Sequence, residues 1–288
     1  MNKINSPQRV AAIHDLSGFG KCSLTVAIPI LAAAGIEASA LPTALLSTHT
    51  GGISGFTYLD TTSEMRPFAE HWKSLGIYFD AIYSGFLGST GQLDIVKDFI
   101  ADFKREDNIV LVDPVMADNG ELYKIFTPDF VPGMRELCKR ADIIVPNITE
   151  AALLLGEDYR PEPYTADYIE HLLAGLSGLG PDRVVLTGVC FTDKELGVAT
   201  CDRTTGVNDY SFVPRIPGYY HGTGDVYASA LLAGLLNGFS LIESAGIAVR
   251  YTAGSIRRTY EAGTDIRFGV NFEQGVPDLL KDLRLIHD

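Results

Sequence analysis

Near the C-terminal end of the sequence, His221-Gly222-Thr223-Gly224-Asp225-Val226-Tyr227-Ala228-Ser229-Ala230 combines residue types that can handle a phosphate and a proton together. Two glycines around a threonine let the chain turn tightly, so that successive N–H groups aim at one point. The apolar run from Val226 onward starts a helix whose N-terminus faces the same point with the positive end of its dipole. Gly222, Thr223 and Gly224 then form an anion hole, with the Asp225 carboxylate beside it. Phosphoryl transfer to an alcohol needs that combination: donors for the charge on the moving phosphate and a base for the hydroxyl proton. The same residues also suit a plain glycine loop followed by a first-turn aspartate. On this segment alone both assignments stand.

The elements that must position such a site follow from the hydrophobic pattern. Val10–Ile13, Ala81–Ser84, Ile109–Val112, Ile143–Val145 and Val184–Thr187 are short apolar or β-branched runs of buried-strand type. Helix-length amphipathic stretches separate them: Cys22–Ala34, Gly91–Lys104, Thr149–Leu155 and Tyr168–Leu176. This rhythm predicts an α/β fold, a mostly parallel sheet with helices on both faces. From Gly197 to Val213 two strands flank Thr204-Thr205-Gly206, a predicted hairpin. Two long helices follow, Asp225–Leu236 and Leu241–Tyr260. No repeat, low-complexity tract or linker interrupts the chain, and Gly178-Leu179-Gly180-Pro181 reads as an αβ turn. One domain over residues 1–288 is expected.

In such sheets ligands sit at the carboxyl ends of the strands. The residues expected there are His14-Asp15-Leu16-Ser17-Gly18, Ser84-Gly85-Phe86, Asp113-Pro114-Val115-Met116, Pro146-Asn147-Ile148-Thr149-Glu150 and Thr187-Gly188. Two other motifs fail on inspection. Gly18-Phe19-Gly20-Lys21-Cys22-Ser23 resembles the end of a P-loop, but Asp15 stands where the first glycine belongs and Cys22 replaces the hydroxyl that would hold Mg²⁺. Gly222-Thr223-Gly224 begins like a dinucleotide fingerprint, yet Tyr227 occupies the third glycine position.

Composition narrows the class. The 288 residues are 46% hydrophobic and 20% charged, an ordinary globular balance that needs no metal or disulfide staple. Cys22, Cys138, Cys190 and Cys201 form no CxxC pair, which argues for reduced thiols rather than a zinc or redox centre. With 23 basic and 36 acidic side chains the net charge is −13, which disfavours a nucleic-acid partner. A polyphosphate must therefore be held locally, by backbone N–H groups, a helix terminus and a divalent cation. The polar N-terminus is not of signal-peptide type. The apolar stretches Val26–Ile36 and Ala228–Leu236 are too short to span a bilayer, so no membrane role and a cytoplasmic location are expected.

Several of these segments resemble the vitamin B6 (pyridoxal/pyridoxamine) kinases of the ribokinase-like superfamily. Gly222-Thr223-Gly224-Asp225 is similar to the GTGD/GAGD signature of ribokinase-like kinases, and Ser84-Gly85-Phe86-Leu87-Gly88-Ser89 resembles the SGYLGS segment of B6 kinases. Val112-Asp113-Pro114-Val115-Met116 and Pro146-Asn147-Ile148-Thr149-Glu150 resemble elements shared by B6 and hydroxymethylpyrimidine kinases. Ser47-Thr48-His49-Thr50-Gly51 resembles the SNHTG segment of B6 kinases. The five occur in register over nearly the whole chain.

The resemblance implies a ribokinase-like three-layer sandwich that uses ATP and Mg²⁺ to phosphorylate the hydroxymethyl group of pyridoxal, pyridoxamine or pyridoxine. It implies Asp225 as base, the 222–224 loop as anion hole, and Asp113, Asn147 and Glu150 around metal and phosphate. Asn147 and Glu150 equally suit a loop amide and a helix-start carboxylate. Thr187 matches a nucleotide-phosphate contact or is simply a strand threonine, and adenine is expected against apolar side chains of the last two helices. Thr50 and Phe86 match positions that touch the pyridine ring, although Phe86 also suits the core. Asp15 departs from the serine usual in B6 kinases and is closer to the start of hydroxymethylpyrimidine kinases. It is expected at the acceptor, or else as a cap for the helix near Cys22. The stretch from Ala117 to Thr127 is a lid or a surface loop. A homodimer is implied. The competing functions are a hydroxymethylpyrimidine kinase of the same fold and a catalytically silent B6-binding sensor.

Overall fold

A computed structural model describes residues 7–287. The first half of the chain forms β1 (Arg9–Phe19), α1 (Leu24–Ala33), β2 (Glu37–Thr48), β3 (Tyr58–Asp60), α2 (Thr62–Ser74), β4 (Ala81–Ser84), α3 (Thr90–Phe103) and β5 (Ile109–Val112). A small hairpin, β6 (Ala117–Asp118) and β7 (Glu121–Leu122), precedes α4 (Phe130–Cys138), β8 (Ile143–Ile144), α5 (Ile148–Leu155) and α6 (Ala166–Gly178). The chain closes with β9 (Arg183–Val189), β10 (Glu195–Asp202), β11 (Val207–Pro214), α7 (Thr223–Leu236), α8 (Leu241–Ala262) and α9 (Val276–Asp282).

Among the described residues, nine strands form one sheet in the order β11-β10-β9-β8-β5-β4-β1-β2-β3. The neighbours from β2 through β9 pair in parallel, while β3, β10 and β11 add antiparallel edges. Alternate side chains of the parallel strands feed two separate cores, which is why these strands are apolar throughout. Ile13, Ile82, Val110, Val112, Val184 and Leu186 face a core built with Phe99, Met134, Leu154 and Leu172 of α3, α4, α5 and α6. Val10, Tyr83, Leu111 and Val185 face the other core, with Ile30, Leu231, Val249 and Leu279 of α1, α7, α8 and α9. Each fully buried aliphatic or aromatic side chain contributes about 1.5–3 kcal/mol relative to exposure. The architecture is the expected three-layer α/β sandwich.

Helix α7 is buried all round from Val226 to Gly234, as expected of a helix packed between the sheet and two neighbours. At Gly234 a Cβ would lie 2.9 Å from the Ser244 Cβ, so the glycine lets α7 and α8 approach closely. The four cysteines are unpaired. No helix among the described residues is long and apolar enough to cross a membrane.

One expectation needs correction. Residues 14–18 do not follow the first strand but continue it, because β2 pairs alongside as far as Phe19↔Thr48. The register shifts between His14 and Leu16, a bulge that displaces Asp15 from the regular ladder.

Candidate active site

The 222–224 loop opens α7 as the sequence suggested. Gly222 is the N-cap at φ 74°, and a Cβ there would lie 2.0 Å from the Lys21 carbonyl oxygen. The backbone angle favours glycine, and the close approach requires it. The Thr223 hydroxyl donates to the Tyr220 carbonyl at 3.2 Å and ties the preceding loop to the first turn. Asp225 lies in that turn and lines a cavity of about 370 Å³ at the carboxyl ends of the strands. It keeps some exposed area because it faces this cavity, yet protein surrounds it. Burial pushes its carboxyl up to about 7, the nearby Ser23 backbone N–H opposes that rise, and the Asp15 charge adds to it.

The acids at neighbouring strand ends line the same cavity. Asp113 follows β5, and Asn147 caps α5 at the end of β8. The Asn147 side chain accepts from the Glu150 N–H at 2.9 Å, and the Asn147 N–H donates to Glu150 Oε2 at 2.9 Å. This is a reciprocal capping box. Glu150 Oε1 also accepts from the Met116 N–H at 3.1 Å, and Asn147 Nδ2 donates to the Ala117 carbonyl at 2.8 Å. Asn147 and Glu150 therefore cap the helix and face the cavity at once. Burial raises Glu150 to about 8 even though backbone amides favour its charged form. Asp113 is raised well above the carboxylate range, by burial first and then by the charges of Glu150 and Asp225.

Such a cluster of buried, mutually repelling carboxylates suits a hard divalent cation. No three His, Cys, Asp or Glu side chains among the described residues are arranged to ligate one ion unaided. A cation here would complete its shell with phosphate oxygens and water, as Mg²⁺ characteristically does.

Thr187 sits in β9 against this cluster. It bridges to Asn147, and both its N–H and its hydroxyl donate to the Pro146 carbonyl, at 2.9 and 3.3 Å. Beyond it the cavity wall becomes apolar: Leu196, Val198 and Val213 of the hairpin, with Val249, Ala253 and Ile256 of α8. Phe86 also lines the cavity, half-buried and with its ring 5.8 Å from that of Phe126.

Asp15 and Thr50 are not brought to the cavity wall. Thr50 is exposed on the turn after β2, next to Gly51, whose backbone packs on His221. Asp15 is buried one layer behind, with Ser23 Oγ donating to Oδ1 at 2.5 Å and Ser17 Oγ to Oδ2 at 3.0 Å. The discarded P-loop look-alike stays discarded: Lys21 Nζ turns to Asn271 and Glu273, at 2.9 and 3.0 Å.

No individual site role followed from the sequence for Ser23, Asp118, Tyr123, Tyr219 or His221, all of which line the cavity. The stretch from Ala117 to Thr127 contains a two-strand hairpin turned by Asn119 and Gly120, at φ 52° and 83°. Asn-Gly is the usual signal for such a turn. The Gly120 N–H donates to Thr149 Oγ1 at 3.0 Å, and the Tyr219 hydroxyl donates to Asp118 Oδ2 at 2.6 Å. The hairpin is thereby tied to α5 and to the loop before α7.

The three-layer sandwich and the acids around a glycine-loop helix N-terminus belong to the ribokinase-like small-molecule kinases. The chain is a member of the phosphomethylpyrimidine kinase family, whose model matches residues 28–269. It is similar to the pyridoxal kinase of Sus scrofa, 28% identical over 249 residues that cover 80% of this chain and 75% of that protein. A Bacteroides thetaiotaomicron VPI-5482 protein, provisionally assigned as a phosphomethylpyrimidine kinase and crystallised with pyridoxal, superposes with a TM-score of 0.91. It shares 40% identity over 95% of this chain and 96% of its own. The pyridoxal kinase of Lactobacillus plantarum superposes with a TM-score of 0.88, at 32% identity over 98% of this chain and 100% of its own. The protein is a kinase.

Proposed function

We propose that this kinase transfers the γ-phosphoryl group of ATP to the hydroxymethyl group of a B6 vitamer, with Asp225 as general base. The observation that carries the proposal is one cavity lined by the Asp225 carboxylate, by Phe86 and by apolar side chains of α8. The pyridine ring would lie at Phe86 and adenine against Val249, Ala253 and Ile256. The hydroxyl oxygen attacks the γ-phosphorus as its proton passes to Asp225. The bond from that phosphorus to the bridging oxygen breaks, and ADP leaves. The N–H groups of Gly222, Thr223 and Gly224 stabilise the charge on the moving phosphoryl group, and Thr187 contacts the nucleotide phosphates. Mg²⁺ near Asp113, Asn147 and Glu150 would neutralise phosphate charge.

Pyridoxal in the crystallised Bacteroides relative supports a B6 vitamer over hydroxymethylpyrimidine. The complete set of base, loop and acids weighs against a silent sensor, which needs none of them. The reading also takes the chain as one kinase domain acting in the cytoplasm, as a homodimer. Leu16, Leu45 and Leu59 support the dimer, since they are neighbours across β1, β2 and β3 and are all exposed. Leu59→Glu should then yield monomers in sedimentation. The deciding measurement for the substrate is ATP turnover against pyridoxal, pyridoxamine, pyridoxine and hydroxymethylpyrimidine. Turnover with hydroxymethylpyrimidine alone overturns the vitamer assignment, and no turnover with any of the four favours the sensor.

A further inference from the structure

Between Asp15 and Asp225 lies one residue in an unusual conformation. Ser23 caps α1 at φ 51° and ψ −129°, a combination that side chains rarely adopt and glycine adopts freely. Such strain persists only where surrounding contacts enforce it. Here the enforcing contact is visible: the Ser23 hydroxyl donates to buried Asp15 at 2.5 Å, while Ser17 holds the other carboxylate oxygen. With its side chain held by Asp15, Ser23 lines the same cavity wall as Asp225, and its backbone N–H lies near enough to favour the charged form of that carboxylate. The segment has little freedom to move, because Gly222 packs directly on the Lys21 carbonyl and next to the Cys22 Cα. The Cys22 thiol feels both carboxylates, each of which raises its pKa, so both lie close to this segment.

We propose that Asp15 is a positioning residue which, by anchoring Ser23 in this conformation, holds the Asp225 carboxylate in the orientation that meets the acceptor hydroxyl. Asp15 acts through Ser23 and does not touch the substrate. The proposal rests on Asp225 being the base. It explains why a carboxylate at this position has both oxygens occupied by serine hydroxyls and none facing the cavity.

Two substitutions at Ser23 separate this role from direct contact. Ser23→Ala keeps the steric penalty of a Cβ and loses the anchor, so the backbone relaxes and the N–H turns away. Ser23→Gly also loses the hydroxyl but adopts the same backbone angles without strain. Ser23→Ala should lower kcat by about 10- to 100-fold, the scale of a misplaced catalytic group, with KM for ATP and acceptor unchanged. Ser23→Gly should retain clearly more kcat than Ser23→Ala. If the hydroxyl itself served the substrate, the two variants would fall equally, and that result overturns the proposal.

A double-mutant cycle adds the Asp15 arm. Asp15→Ala should lower kcat in the wild-type background but cost little more in the Ser23→Gly background, because the anchor is no longer needed. Additive losses, or a raised acceptor KM that differs between pyridoxal and pyridoxamine, would instead make Asp15 a substrate contact. Thermal unfolding of each variant separates lost folding from lost kcat, and the Ser23 pair decides the question even where Asp15→Ala is unstable. Asp225→Asn, measured alongside, isolates the premise: if it is as active as wild type, the base assignment falls and takes this proposal with it. If it is inactive while the cycle is additive, only the positioning role falls.

Discussion

At Asp225 burial and the proposed role as base pull against each other. The surrounding protein raises this carboxyl to about 7, and the nearby Ser23 N–H opposes the rise. Asp225→Asn keeps the shape and removes the basic oxygen. Turnover should fall by roughly 10²–10⁴-fold, the usual contribution of a general base, while ATP affinity measured by calorimetry stays near wild type. Glu150 has two duties in one side chain: it accepts backbone N–H groups of Met116 and Asn147 and places negative charge near Asp113. Glu150→Gln should raise the Mg²⁺ concentration for half-maximal rate, because one negative charge would leave the proposed metal site. A lower melting temperature with an unchanged Mg²⁺ titration would confine Glu150 to capping α5.

Among the elements, the β6–β7 hairpin is the one whose placement bears most on chemistry. Its tie to the loop before α7 includes the Tyr219–Asp118 hydrogen bond, and both residues line the cavity. Water is a competing acceptor for any kinase, so an element that covers the phosphate protects against futile hydrolysis. Tyr219→Phe removes the hydroxyl and leaves the ring. A hydrogen bond of this kind is worth about 1 kcal/mol net, roughly a fivefold shift between closed and open states. ATP hydrolysis measured without acceptor should therefore rise a few-fold while the melting temperature barely changes. Unaltered hydrolysis would mean that Tyr219 braces the loop without gating the site.

Across the whole molecule the acidic cluster links stability to pH. Glu150 and Asp225 titrate in the fold near 8 and 7, above their ordinary values of 4.5 and 3.8, and Asp113 is raised as well. Between those limits the folded protein binds more protons than the unfolded chain, so stability falls as pH rises. The contribution is complete below about pH 4 and lost as pH passes the folded values. The ligand-free protein should melt progressively lower from pH 5 to pH 8.5, and Mg²⁺ should reduce the decline by neutralising the cluster. Asp113→Asn removes one of the repelling charges. Its melting temperature should exceed wild type at pH 8 but not at pH 4, which differential scanning calorimetry can measure. A difference independent of pH would locate the effect in packing instead.

How much of this was legible in advance depends on the kind of signal. The parallel strands Ala81–Ser84 and Ile109–Val112 fall where their unbroken apolar runs predict, because strands buried on both faces leave no polar position to blur the pattern. The glycine loop was equally plain, since the left-handed Gly222 backbone angle strongly favours glycine. Strand β2 was not legible: Glu37-Ala38-Ser39-Ala40-Leu41-Pro42 has few β-branched residues, and its pairing beside β1 is a long-range choice. The same pairing lengthened β1 through the segment expected to be a strand end. Local periodicity and backbone preferences already specify the layer order and the residue types that meet at the strand ends. Tertiary structure alone decided which of those residues face the cavity. Asp15 turns back to Ser17 and Ser23, while Asp118 and Tyr219, 101 residues apart, meet across its wall. Those contacts depend on how distant segments pack, and no local pattern records them.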